Sequence, residues 1–259
     1  MRKTIRALGN VICEAIFPSN IYCMCCGSLI DKSRPYALCD FCMRQFHWIS
    51  GKTCEKCGKA LQDTYMGSLC YDCMTYEHHF EKGFSCLTYG LHEREVLLDL
   101  KYNGKGYLAE KFGDILYDRI SCEDIQPDVI IPVPVSSGRA KTRGYNQSAL
   151  MGRRLSRLLG IPIDEKILAR QKETQLLRSL NPADRRLALH GAFVVSSKRN
   201  ALGEKNNRLA GKQVLLIDDI YTTGATVDTC SKVLLEAGAD KVYVLTLASG
   251  GNRKPEIDK

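Results

Sequence analysis

No run of about 18 apolar residues occurs in the 259-residue chain, so no part of it is expected to insert into a membrane. A signal-peptide core is missing too. Arg2, Lys3 and Arg6 open the chain, but Asn10 and Glu14 interrupt the apolar stretch that follows. That stretch reads better as a short amphipathic helix carrying Ile5, Leu8, Ile12 and Ile16, and the expected location is cytoplasmic. The pattern G-x-x-x-x-G-K-[ST] is also absent, which excludes a nucleoside-triphosphate loop. Gly104 to Ala109 matches G-x-G-x-x-A in form, but no short strand with a downstream acid supports a dinucleotide site, and the segment reads as a helix–helix turn.

Cysteine, by contrast, is plentiful, with thirteen residues. Eight form four C-x-x-C pairs: Cys23/Cys26, Cys39/Cys42, Cys54/Cys57 and Cys70/Cys73. Adding 31 to each of the first four positions gives the last four, which marks an internal duplication. Knuckles paired at this spacing read as tetrahedral zinc sites with four cysteine ligands each, and units this small need metal to supply folding energy. The natural assignment is one Zn2+ on Cys23, Cys26, Cys39 and Cys42 and another on Cys54, Cys57, Cys70 and Cys73; spacing alone leaves a cross-braced pairing open. Disulfides would suit an exported protein, and a redox C-x-x-C would stand singly at a βα turn. Cys25 lies inside the first knuckle. His78 and His79, just past the last knuckle, are expected on the surface, and Cys13, Cys86, Cys122 and Cys230 are expected as small core residues.

Past the cysteines, strand and helix patterns alternate. Strands are expected over 84–90, 128–135, 213–218 and 242–247, with a further pair near 167–168 and 192–195 split by a basic loop. Helices are expected over 93–100, up to about 120, over 146–159 and over 225–237. Such alternation implies an α/β fold, a parallel sheet with flanking helices on both faces. The expected division is 1–83 for the N-terminal helix and double zinc ribbon, 84–250 for the α/β domain and 251–259 for a polar tail.

The most informative stretch runs from Val214 to Thr226. Four apolar residues form a strand, Asp218 and Asp219 stand at its carboxyl end, and Thr222, Thr223, Gly224, Ala225 and Thr226 lead into a helix. Ligands of open α/β sheets bind at such strand ends, and a helix N-terminus with free N–H groups binds phosphate. The layout suits a sugar phosphate, with the acids accepting hydrogen bonds from a diol and the turn cradling one phosphate. An ordinary strand–turn–helix with an acidic first turn would share the pattern. Charge points the same way. Residues 132–186 hold twelve basic and four acidic side chains, the whole of the chain's net +8. A local excess of this kind calls for an anionic partner, phosphate-rich substrate or nucleic acid; a solvated helical face would account for Arg153, Arg154 and Arg157.

The 214–226 stretch resembles the phosphoribosyl-pyrophosphate (PRPP) loop of the type I phosphoribosyltransferases. That resemblance implies that Asp218 and Asp219 hold the ribose hydroxyls, that Thr222 to Thr226 hold the 5′-phosphate, and that Mg2+ accompanies PRPP. The runs Pro132-Val133-Pro134 and Arg143-Gly144-Tyr145-Asn146-Gln147, with Leu100-Lys101-Tyr102 and Gly191-Ala192-Phe193, narrow the likeness to the ComF family. Members of that family join a zinc ribbon to a phosphoribosyltransferase domain and are linked to DNA uptake in natural competence. The resemblance covers about 18–248; one departure is Ala188, where asparagine fits the pattern better. Under it, Ser136, Ser137, Arg139 and Arg143 neutralise the pyrophosphate. Whether the site turns PRPP over, only senses it, or has been turned to single-stranded DNA stays open at this level. In the DNA reading Tyr102 and Tyr145 stack on bases and the ribbons dock a DNA-translocating ATPase, a competence helicase. No pocket for a base is legible.

Overall fold

The computed structural model describes residues 21–102, 104–172, 182–196 and 208–252. The helix expected over 5–16, Cys13 and Arg178 lie outside them. The chain divides into two compact units, one ending at Phe46 and the other beginning at His47.

The duplication is visible in the backbone. In the smaller unit Tyr22 bridges Leu29, Gly27 turns with φ +74°, and helix α1 follows at Asp40–Gln45. In the larger unit, 31 residues on, Thr53 bridges Ala60, Gly58 turns with φ +73°, and helix α2 occupies Tyr71–Thr75. Cys39 and Cys70 are the N-caps of these two helices, so one residue both opens a knuckle and starts a helix.

The rest of the larger unit is the α/β fold. In chain order it runs β1 Lys82–Thr88, α3 Leu91–Tyr102, α4 Leu108–Ile120, β2 Val129–Pro132, α5 Ser137–Arg143, α6 Gln147–Leu159, β3 Leu168–Arg170, α7 Pro182–Leu189, β4 Phe193–Val195, β5 Gln213–Tyr221, α8 Ala225–Glu236 and β6 Lys241–Ser249. A four-stranded sheet has the order β1-β6-β5-β2 with every pair parallel, while β3 and β4 form a separate antiparallel pair. The central strands are buried on both faces, which is why Val214 to Ile217 and Val242 to Leu245 read as unbroken apolar runs.

Besides the short α1 and α2 of the knuckles, two helices of the α/β fold went unforeseen. α5 and α7 lie in basic stretches, Ser-Gly-Arg-Ala-Lys-Thr-Arg and Pro-Ala-Asp-Arg-Arg-Leu-Ala-Leu, whose charge hides their helical period. β5 and β6 also run further than expected, to Tyr221 and Ser249, because their ladder continues through Asp218 opposite Thr246 and Tyr221 opposite Ser249. The acid pair therefore sits on the strand itself.

The second cysteine quartet is part of the larger unit's core. Cys54, Cys57, Cys70, Leu61 and Phe80 share one buried cluster with Val214, Leu216, Val242 and Val244 of the sheet. Gly58 and Gly83 make the approach possible: a Cβ on Gly58 would stand 2.5 Å from the Gly83 carbonyl oxygen. Two sequence expectations are corrected here. His78 is buried, with its ring stacked on Phe80 at 4.9 Å between centroids. Cys122 is exposed just past α4, whereas Cys86 and Cys230 are buried as expected.

Candidate functional site

Within each quartet, Cys23/Cys26/Cys39/Cys42 and Cys54/Cys57/Cys70/Cys73, the four sulfurs lie within 4.8 Å of one another, so the pairing is sequential and not cross-braced. A tetrahedral ion with Zn–S bonds of ~2.3 Å needs sulfurs ~3.8 Å apart. Cys26 and Cys39 are 3.7 Å apart and Cys57 and Cys70 are 3.6 Å apart. Backbone N–H groups already point at sulfur: Cys39 donates to Cys23 Sγ at 3.4 Å and Cys70 donates to Cys54 Sγ at 3.2 Å. Hydrogen bonds from Ser28 pull the Cys26 thiol down to about 6, into the range where it is a thiolate. Both quartets thus fit zinc.

The second centre at the carboxyl edge of the sheet is a cavity of about 570 Å3. Asp218 and Asp219 lie on its wall, and being successive strand residues they leave β5 in opposite directions. Asp218 Oδ1 accepts from Ser148 Oγ of α6 at 3.3 Å and from the Asp219 N–H at 2.9 Å. Asp219 Oδ2 lies 2.6 Å from Lys101 Nζ, at the last turn of α3. Burial, and then the neighbouring Asp219 charge, push Asp218 up to about 7.

After β5 the chain turns through Gly224, whose φ of +78° is left-handed, and α8 begins at Ala225 with no side chain capping its N–H groups. Thr223 Oγ1 is buried with no hydrogen-bond partner. Thr222, Thr223, Ala225 and Thr226 line the cavity. Uncapped N–H groups, a dipole end and an orphaned hydroxyl together make an anion cradle.

The Arg143-to-Gln147 run is explained residue by residue. Arg143 donates from Nη2 to Tyr102 Oη at 2.9 Å and from Nη1 to Gln147 Oε1 at 3.3 Å. Gly144 ends α5 with φ +75°. Tyr145 Oη donates to the Leu100 carbonyl at 2.6 Å, so its ring buttresses α3. Asn146 caps α6, accepting from Ser148 N and Ala149 N, and donates to the Val133 carbonyl. Gln147 is buried on the cavity wall and its Nε2 has no partner. Ser136 is buried at the start of α5 and is not on the wall; the side chains of Ser137 and Arg139 lie outside the described ones.

The basic excess divides in two. On α6, Arg153 pairs with Glu165, Arg154 with Asp114 and Arg157 with Glu110, which neutralises that face. Arg143, Arg170 and Arg185 of the basic segment line the cavity together with Arg94 and Lys101 of α3, and among the described residues the acids on its wall are Asp218 and Asp219. Sequence reasoning missed Arg94, and it missed Lys101 as a partner of Asp219. The signal for Lys101 was its place in the Leu-Lys-Tyr run; for Arg94 there was none.

Behind the turn sits another group that sequence reasoning passed over. Asp228, on the first turn of α8, accepts from the backbone N–H of His79 at 2.6 Å, lies 3.1 Å from the His79 ring, and receives Arg186 Nη1 at 3.2 Å. Tyr221 Oη lies 3.5 Å from His78 Nε2.

Comparison with known proteins identifies the family. Residues 12–74 match the double zinc ribbon domain model and residues 147–259 match the phosphoribosyl transferase domain model. Competence protein F of Haemophilus influenzae is 30% identical over 237 residues, covering 88% of this chain and 97% of that one. Competence protein ComFC of Bacillus subtilis is 28% identical, covering 78% of this chain and 79% of that one. The DNA utilization protein YhgH of Escherichia coli K12 is 26% identical, covering 82% and 90%. Among solved structures, adenine phosphoribosyltransferase from Leishmania tarentolae aligns with a TM-score of 0.36 and 13% identity, covering 73% of this chain and 89% of that one. Among the described residues no helix is long and apolar enough to cross a membrane. The chain belongs to the ComF family, a double zinc ribbon joined to a phosphoribosyltransferase fold.

Proposed function

We propose that the cavity binds PRPP, and that the protein uses this site in the uptake or use of DNA. The observation that carries the first part is the placement of the acid pair directly before an uncapped helix start with a buried, unpartnered Thr223 hydroxyl. Asp218 and Asp219 accept the ribose hydroxyls. The turn from Thr222 to Thr226 takes the 5′-phosphate on backbone N–H groups and hydroxyls. Arg143, on the cavity wall, faces the pyrophosphate, where its planar guanidinium fork matches phosphate oxygens. Ser136 stands at the N-cap of α5, and Ser137 and Arg139 lie on that helix, which ends at Arg143.

If the site is catalytic, it makes phosphoribosyl transfer easier mainly by fixing the sugar and stabilising charge on the departing pyrophosphate. The acid pair offers the oxygen ligands Mg2+ takes, and that ion, bound with PRPP, would spread the leaving-group charge. The second part rests on the names of the relatives, competence protein and DNA utilization protein. Calorimetry with PRPP and Mg2+ tests the first part; loss of transformation or of growth on DNA in an Asp218→Asn, Asp219→Asn strain tests whether the same site serves the second.

Single-stranded DNA at this site is the competing reading. Tyr102, more than half exposed and with the Arg143 guanidinium 4.7 Å from its ring centre, is the observation that favours it. Tyr145 gives it no support, since its hydroxyl is engaged by Leu100. Binding of an oligonucleotide that PRPP fails to displace would favour a DNA surface elsewhere.

A further inference from the structure

We propose that Lys101 is a ligand-contacting residue: an internal cation that pairs with Asp219 and passes to the pyrophosphate when a sugar diol takes its place. The proposal rests on the reading of the cavity as a PRPP site and names a residue of that site which the acid pair, the turn and the basic segment do not include.

Lys101 comes from the last turn of α3, the helix that also gives the cavity Arg94 and Tyr102. Its Nζ is 2.6 Å from Asp219 Oδ2, with side-chain exposures of 9% and 16%, so the pair is largely shielded from water. A shielded ion pair is costly to build and is weak evidence for a stabilising role, because desolvation of both charges offsets their attraction. Here the pair also occupies a carboxylate that the proposed ligand needs. Asp218 Oδ1 already accepts two hydrogen bonds, from Ser148 and from the Asp219 amide. Lys101 therefore holds the less committed of the two acids.

The same turn of α3 holds the other side of the cavity. Tyr102, the next residue, accepts from Arg143 Nη2 at 2.9 Å and stacks beneath its guanidinium. So one turn of helix places a cation on the group assigned to the ribose and a phenol on a group assigned to the pyrophosphate. A lysine ammonium rides on a flexible four-carbon stem and can move through several ångströms while the helix stays in place. When hydroxyls occupy Asp219, the nearest strong acceptors for that ammonium are the incoming phosphate oxygens.

This arrangement predicts a split that a structural role does not. Lys101→Met removes a competitor for the diol and a partner for the pyrophosphate. The full-length protein is titrated calorimetrically with PRPP, with inorganic pyrophosphate and with ribose 5-phosphate, each with Mg2+. The expected result for Lys101→Met is about tenfold weaker binding of PRPP, the loss typical of one charge-assisted hydrogen bond, with ribose 5-phosphate bound at least as tightly as by the parent; pyrophosphate alone brings no diol to free Lys101 from Asp219 and is expected to weaken less than PRPP. Equal weakening of all three, or no weakening of PRPP, overturns the proposal. Lys101→Gln carries the same expectation should Lys101→Met fail to fold. If the parent protein binds pyrophosphate and ribose 5-phosphate but the split is absent, Lys101 alone loses its role; if the parent binds none of the three, the PRPP reading fails and the assignment of Lys101 falls with it.

Discussion

The backbone N–H of His79 donates to Asp228 Oδ1 at 2.6 Å, tying the segment that leaves the second zinc ribbon to the first turn of the helix behind the Thr-rich turn. His78 completes the contact: its Cε1 lies 2.9 Å from where a Cβ on Gly224 would stand, and its Nε2 meets Tyr221 Oη. Burial opposes a charge on Asp228, but the His78 imidazole and the His79 amide and ring more than offset it and hold the carboxyl down at about 2. A depressed carboxyl contributes stability that is present above its unfolded value of 3.8 and is lost as pH falls through its folded value. A shift of that size corresponds to about 2 kcal/mol, so Asp228→Asn is expected to lower stability by that order at pH 7 and to reduce the loss of stability between pH 4 and pH 2. Urea denaturation of both proteins at several pH values checks it.

The zinc centres are expected to behave differently. Cys54, Cys57 and Cys70 share a buried cluster with the sheet, and Lys59, buried and paired with Asp72, lies 5.5 Å from the centre of the Tyr221 ring. Cys54→Ser should therefore lower zinc content from two ions to one, reduce the cooperativity of unfolding of the larger unit, and weaken PRPP binding. Cys23→Ser should cost the other ion and leave both the larger unit's unfolding and PRPP affinity unchanged. Metal analysis paired with thermal melts and calorimetry separates the two; equal effects on PRPP would contradict the asymmetry.

Gly224 is the position where the turn tolerates no side chain. Its φ is +78°, and a Cβ there would stand 2.3 Å from Tyr221 Oη. Gly224→Ala should destabilise by about 1–3 kcal/mol from backbone strain and forced displacement, and should abolish detectable phosphate binding. A Gly224→Ala protein that binds PRPP like the parent would show that the turn is not the cradle.

Local signals carried far in the sequence, and long-range contacts did not. The C-x-x-C period, the acid pair and the Thr-rich turn each encode their own geometry within a few residues, so the two quartets and the β5–α8 unit were legible. α5 and α7 were not, because the arginines and lysine they carry erase their apolar period. His78 was misplaced on the surface because its burial is set by Tyr221, 143 residues later. Lys101 likewise meets Asp219 only through the fold. The Asn146 cap was hidden inside a run that resembles its family, and only the structure shows that Gly144, Tyr145 and Asn146 serve to aim their neighbours Arg143 and Gln147.

Asp218 gives the account a pH signature. Burial, and then the Asp219 charge, push its carboxyl up to about 7. A raised carboxyl costs stability as pH climbs from its unfolded value of 3.8 to its folded one, so Asp218→Asn is expected to raise the melting temperature at pH 8. Ligand hydroxyls donate to the ionised form, so binding below pH 7 must expel the proton. PRPP affinity should rise with pH up to about 7 and level off above, with proton release visible as a buffer-dependent heat at pH 6, and Asp218→Asn should show neither effect.

The central claim is that the acid pair and the turn form one PRPP site. Isothermal titration of the zinc-loaded full-length protein with PRPP and Mg2+ tests it most directly, alongside the Asp218→Asn, Asp219→Asn double variant. The account predicts one site per chain in the parent and loss of binding in the double variant with its zinc retained. No heat with the parent at millimolar PRPP, or equal affinity in the double variant, would contradict it.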